Sequence, residues 1–159
     1  MRSTIQLVEI ASPDDVLDMA RCRNRVRTFM THNTGEIDPQ QQLEWYKTTY
    51  LPSRAKSEML GYVLRSVHDP IGYGLITTRE GRLWVSGGIN EEVRGQGIGR
   101  LLFDNLTTIG HGLLGRNEVW LDVQRGNERA QALYRSLGYR VVRDSADTLV
   151  MVHKEVSNV

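Results

Sequence analysis

One cysteine, Cys22, stands alone in 159 residues, so no intrachain disulfide can form and a metal site built from several thiolates is excluded. No apolar run approaches the ~20 residues that span a bilayer, and the opening stretch MRSTIQLVEI is too short in apolar residues for a secretory core. An unexported, cytoplasmic protein with no membrane partner is expected. Repeats, low-complexity tracts and Pro- or Gly-rich linkers are missing as well, which leaves no seam between two cores. Net charge is nearly absent: 20 Lys+Arg against 19 Asp+Glu leaves +1, which argues against wholesale nucleic-acid binding and against an acidic disordered chain. His68, His111 and His153 are scattered without metal-ligand spacing, so no metal is expected.

What is present fits one globular domain over residues 1–159, since 40% hydrophobic and 25% charged residues can bury a sizeable core. The charge that matters is local. From Arg94 to Arg143 there are eight arginines, no lysine and four acids, Asp104, Glu118, Asp122 and Glu128. That half of the chain can offer a basic surface to an anion.

Hydrophobic spacing predicts the order of elements. Ile5 to Ile10 alternates as a strand, and Ser12-Pro13-Asp14 starts a helix reaching about Met30. THNTGEIDP interrupts it, and Asp38-Pro39 opens a second helix through Tyr46. Three strands, Met59–Val67, Ile71–Thr78 and Leu83–Ile89, are separated by tight turns and should form an antiparallel meander. Ile98, Leu101, Leu102, Leu106 and Ile109 mark an amphipathic helix, followed by a strand at Val119–Val123. A helix from Asn127 to Leu137 ends at Gly138, and two strands near Tyr139–Val142 and Thr148–His153 close the chain. The fold class expected is α/β (α+β): a mixed, mostly antiparallel sheet of about seven strands with helices on both faces.

Within this frame VRGQGIGRLL, Val93 to Leu102, is the most informative stretch. The dinucleotide fingerprint fails on spacing, because the sixth residue from Gly95 is Arg100 and from Gly97 is Leu102. An NTPase P-loop fails for want of Gly-Lys-Ser or Gly-Lys-Thr. What remains is Arg-x-x-Gly-x-Gly leading into a helix. Glycines remove Cβ atoms, backbone N–H groups can turn inward as a nest, and the helix N-terminus adds about half a positive charge. A pyrophosphate suits such a place; the bland alternative is a tight strand-to-helix turn.

RGQGIG followed by LL, then WLDVQRGNERAQALYRSLGY some twenty residues later, resembles the Gcn5-related N-acetyltransferases, most strongly from Leu83 to Tyr139. The resemblance implies a single acetyltransferase domain with acetyl-CoA as cosubstrate. It implies that Gly87 and Ile89 face the pantetheine arm, and that Val93, Arg94, Gly95, Gln96, Gly97, Ile98, Gly99 and Arg100 wrap the diphosphate. Asn127 and Tyr134 are seven residues apart, within about 20° on a helix. In the family that asparagine contacts the cofactor, and the tyrosine acts as general acid for the departing thiolate; alone, Tyr134 would read as a core aromatic. Asp122 falls where related ribosomal-protein acetyltransferases carry a basic glutamate, and its shorter side chain favours transfer through water; the alternative is a structural carboxylate. Glu36, His32 and Glu58 are weaker base candidates.

The acceptor implied is a small-molecule or peptide amine attacked directly in a ternary complex. RCRNRVRTFMTHNTGEIDPQQQLEWY is similar to the subgroup that acetylates amino sugars carried on nucleotides, which singles out Arg23, Asn24 and Trp45 for substrate binding, although Cys22 departs from the tryptophan common there. Trp45 and the arginines also read as core and solvated face. Acetylation of a protein N-terminus or of a small toxic amine is the alternative activity, and a non-catalytic acyl-CoA sensor the alternative class. A homodimer is the one candidate assembly, and the sequence leaves the oligomeric state open.

Overall fold

The structure, a computed structural model, describes residues 4–26, 35–112 and 114–155. Seven strands form one sheet in the order β1-β2-β3-β4-β5-β7-β6: β1 Ile5–Glu9, β2 Met59–Ser66, β3 Asp69–Arg79, β4 Arg82–Ile89, β5 Glu118–Gln124, β6 Arg140–Asp144 and β7 Thr148–Lys154. Every neighbouring pair is antiparallel except β4 with β5. The meander expected of β2, β3 and β4 is present, and so is the mixed, mostly antiparallel sheet.

Helices cover both faces. On one side α1 (Pro13–Arg25), α2 (Pro39–Trp45) and the turn that follows α2 bury Val16, Met19, Cys22, Tyr46 and Tyr50 against Val63 and Tyr73 of β2 and β3. On the other, α4 (Ile98–His111) and α5 (Glu128–Ser136) place Leu102, Phe103, Leu106 and Tyr134 on Leu83, Val85, Val119, Leu121 and Met151. Leu102 and Leu106 are completely buried, each worth about 1.5–3 kcal/mol of apolar transfer. Their close approach has a cause in the sheet. A Cβ on Gly74 would come 2.9 Å from Leu106, and one on Gly87 2.5 Å from the Tyr73 carbonyl oxygen and 3.3 Å from Leu102. The cross-strand pair Gly74 and Gly87 therefore leaves the floor bare under α4.

Two helix boundaries differ from the expectation. The first helix ends at Arg25, with Val26 as its C-cap; the rest of the segment expected to reach Met30 lies outside the described residues. The second does not stop at Tyr46. It runs through a π turn, Tyr46–Tyr50, into α3, Leu51–Ala55. Thr48, Thr49 and Pro52 look locally like a helix end, but the Leu51 amide donates to the Tyr46 carbonyl five residues back, and Tyr46 and Tyr50 are buried in the core. Tertiary burial outweighs the local signal.

The fold also joins two histidines that are 42 residues apart. His111 Nδ1 lies 2.7 Å from the Arg116 carbonyl, which can only accept, so that nitrogen carries the hydrogen. His111 Nε2 lies 2.8 Å from His153 Nδ1 and accepts from it when both rings are neutral. Burial first, and then the neighbouring His111, hold the His153 pKa below the usual histidine range. The unfolded chain titrates near ~6.5, so below that pH it binds more protons than the native state. The stability of the neutral pair is complete above that value and is lost as the pH falls toward the lower folded value. His153→Gln should therefore lower Tm more at about pH 7.5 than at about pH 5.5. A Tm difference that does not change with pH would show that the pair is not titrating in this way.

Candidate active site

The cofactor-scale cleft of this fold lies where its one parallel strand pair parts. β4 and β5 share a register only at Trp84 opposite Trp120. Beyond that pair a cavity of about 530 Å³ lies between Val85–Ile89 of β4 and Leu121–Val123 of β5, and extends over the start of α4 and the inner face of α5.

The chain reaches the loop by a fixed exit. Asn90 donates from its backbone to Ile71 and from its side chain to Pro70, and a 3-10 turn at Glu91–Val93 follows. Gly95 and Gly97 then adopt φ of +80° and +77°, conformations that L side chains rarely take. A Cβ at either would meet no protein atom within 4 Å. Gly97 is the N-cap of α4 and supplies no side-chain bond to its first amides. The contrast with the other helix starts is instructive. Ser12 caps α1, Asp38 closes a capping box on α2, and Asn127 caps α5 through the Ala130 amide at 3.2 Å. The first residues of α4 line the cavity together with Arg94, Arg100 and Arg129, an arrangement that fits a diphosphate.

Tyr134 lies at the other side of the opening, 8% exposed, with its ring 4.8 Å from Phe103 in an edge contact. Burial first, aided by Tyr139, Tyr73 and Asp122, pushes its pKa above that of an ordinary phenol, so it stays protonated through neutral pH. Two other buried tyrosines are bonded, the Tyr139 hydroxyl pairing with Thr107 Oγ1 at 2.5 Å and Tyr50 accepting from the Gly61 amide at 3.0 Å. The Tyr134 hydroxyl bonds to no described residue, and its side chain lines the cavity. Asp122, 17% exposed, also lines it, with Arg79 at 3.8 Å.

Of the residues singled out in the sequence, Gly87, Ile89, Arg94, Gly95, Gly97, Ile98, Gly99, Arg100, Asp122, Asn127 and Tyr134 all line this one cavity. Val93 does not. It packs against the main core and borders a smaller hollow beside Pro70 and Asn90. Gln96 is exposed outside the lining, and Arg100 directs one N–H to Ser136 Oγ at 2.8 Å. Arg23, Asn24 and Trp45 lie elsewhere. Asn24 clamps the Ile37 backbone, accepting at 2.8 Å and donating at 2.9 Å; Arg23 donates to the Gly35 carbonyl; Trp45 tilts against Tyr50. Glu36 and Glu58 are outside the lining, and His32 lies outside the described residues. Sequence reasoning missed Val26, Thr77, Arg79, Trp84, Ser86, Phe103 and Arg129, which the fold adds to the lining.

The sequence matches the acetyltransferase (GNAT) family over residues 19–139, and the chain belongs to that family of acyltransferases. A comparison with curated proteins found no match. Among solved structures, the ribosomal-protein-S5-alanine acetyltransferase of Vibrio fischeri superposes with a TM-score of 0.81 at 14% identity, over 97% of this chain and 94% of that one. The yncA putative acetyltransferase of Salmonella typhimurium, solved with acetyl-CoA, gives 0.77 at 18%, over 100% and 97%. Apo FdhC, a nucleotide-linked sugar GNAT, gives 0.77 at 16%, over 96% and 87%. At these identities the likeness is one of fold. Among the described residues no helix is long and apolar enough to cross a membrane.

Proposed function

We propose that this protein transfers the acetyl group of acetyl-CoA to a primary amine by direct attack within a ternary complex. The observation that carries this reading is the buried Tyr134, protonated, with no hydrogen-bond partner among the described residues, and lining the same cavity as an uncapped, arginine-lined helix start. A fold that leaves such a hydroxyl unbonded forgoes about 1 kcal/mol, which fits a donor reserved for a substrate atom. The diphosphate takes the α4 amides with Arg94 and Arg129, and the pantetheine arm runs along Gly87 and Ile89 into the opening between β4 and β5.

The amine must first be neutral, since an ammonium has no lone pair. Asp122 accepts its proton through water; the nitrogen bonds to the thioester carbon, the C–S bond breaks, Tyr134 protonates the departing thiolate, and the second proton that the nitrogen sheds as the amide forms restores the phenol. The products are an N-acetyl amide and the free thiol. Cys22 supports no covalent route: it is 2% exposed in the core under α1, outside the cavity lining, and burial pushes its thiol pKa up to about 11.

The similar structures carry names as different as a ribosomal-protein-S5-alanine acetyltransferase and a nucleotide-linked sugar GNAT, so the fold leaves the amine open. Arg23 and Asn24 hold Gly35 and Ile37 ahead of α2, which favours a positioning role for them over contact with a nucleotide.

Acetyl-CoA at 100 times its Kd should stabilise the native state by ~2.7 kcal/mol, because the unfolded chain has no cleft to bind it. Thermal denaturation with acetyl-CoA, NAD and ATP checks this. A Tm unmoved by acetyl-CoA, or moved equally by all three, would defeat the proposed donor.

A further inference from the structure

The cavity has a second cationic end. Arg79 closes β3 opposite Arg82 at the start of β4, a strand's length from the glycine loop at the other end of β4. Its side chain lies across Trp84, with the guanidinium carbon 4.5 Å from the ring centroid, and reaches toward Asp122 on β5. The stack holds the guanidinium in place before any ligand arrives. At 3.8 Å the nearest nitrogen and carboxylate oxygen are too far apart for a hydrogen bond, and none of the Arg79 N–H groups donates to a described residue. A stacked planar donor fork and a carboxylate thus stand side by side as a long ion pair, both lining the cavity.

An adjacent plus and minus charge is complementary to a molecule that carries both. We infer that the acceptor is a zwitterionic amine whose own carboxylate or phosphate is bound by Arg79 while its amino group is turned to Asp122. This rests on the acetyl-transfer reading above and adds the substrate class. A guanidinium receives a carboxylate or a phosphate through two parallel N–H bonds, whereas an extended polyamine would bring a second positive charge against Arg79 and be repelled. Among the described residues Asp122 is the only acid in the lining, so the amino group has one charged partner and the anion another.

The test is acetyl transfer to matched pairs of amines that differ in the anion alone: amino acids against their amides, and 2-aminoethyl phosphate against ethanolamine. Rates are followed as thiol released and corrected for the fraction of neutral amine. In the parent the anionic member of one pair should have a kcat/KM at least about tenfold higher, carried mainly by KM. Arg79→Gln should bring that ratio close to one, and Arg79→Lys should restore part of it. The pair that responds identifies carboxylate or phosphate as the anion. A parent ratio near one, or equal losses on both members in Arg79→Gln, overturns the inference while leaving acetyl transfer standing. If no amine releases thiol, the transfer reading fails and binding decides separately. A Tm rise of the CoA-bound parent with an anionic amine, lost in Arg79→Gln, sustains Arg79 as an anion site; no rise with any of them overturns it.

Discussion

Tyr134→Phe is expected to lower kcat by roughly ten- to a thousandfold while acetyl-CoA affinity and fold stability stay close to those of the parent. The variant keeps the ring, and with it the edge contact to Phe103 at 4.8 Å and the tilted contact to Tyr139 at 6.1 Å. It removes a hydroxyl that bonds to no described residue, so no internal partner is left unsatisfied. A packing role therefore predicts near-normal turnover, and a proton-donor role predicts loss in kcat with KM for the donor almost unchanged. Acyl donors with better leaving groups should shrink the loss, because a more stable thiolate needs less help in departing. Rates equal to the parent's with every donor would take Tyr134 out of the mechanism.

How much of this was legible beforehand follows the range of each signal. The order of strands and helices was, because alternation and three-to-four spacing are local: β2, β3, β4, α4 and β5 all fall within three residues of the expected bounds. The turn into α4 was, because its positive-φ glycines and the helix they open are consecutive residues. The continuation of α2 through Tyr46–Tyr50 was not, since burial of Tyr46 and Tyr50 against distant strands decides it. Arg79 and Trp84 were invisible for a related reason. Arg79, stacked on Trp84, meets Asp122 only because β3 registers Thr77 on Trp84 and β4 registers Trp84 on Trp120, a juxtaposition across some forty residues with no pattern along the chain. Gly87 shows the opposite error of emphasis. Read as a ligand contact, it lines the cavity and also answers the Tyr73 carbonyl and Leu102, so the sheet demands glycine there whatever binds.

That distinction between a glycine demanded by packing and one demanded by a ligand gives the last expected result. Gly97→Val should weaken acetyl-CoA binding by about tenfold to a hundredfold, equivalent to ~1.4–2.8 kcal/mol. Two effects are mixed in such a change, and they can be separated. One is conformational: at φ +77° a β-branched residue is strained by ~1–2 kcal/mol in the native protein, with or without ligand. The other is steric: a Cβ at Gly97 meets no described protein atom within 4 Å and Gly97 lines the cavity, so the added methyl groups occupy space where the diphosphate is proposed to approach. Gly81 supplies the control. It has φ +74°, an equally open Cβ position, and a place in the β3–β4 turn outside the cavity lining. Gly81→Val should therefore cost comparable stability and leave the acetyl-CoA Kd unchanged. Calorimetric titration of the two folded variants measures the difference between them. If Gly97→Val binds acetyl-CoA as tightly as Gly81→Val does, the loop is a turn and nothing more, and the phosphate belongs elsewhere.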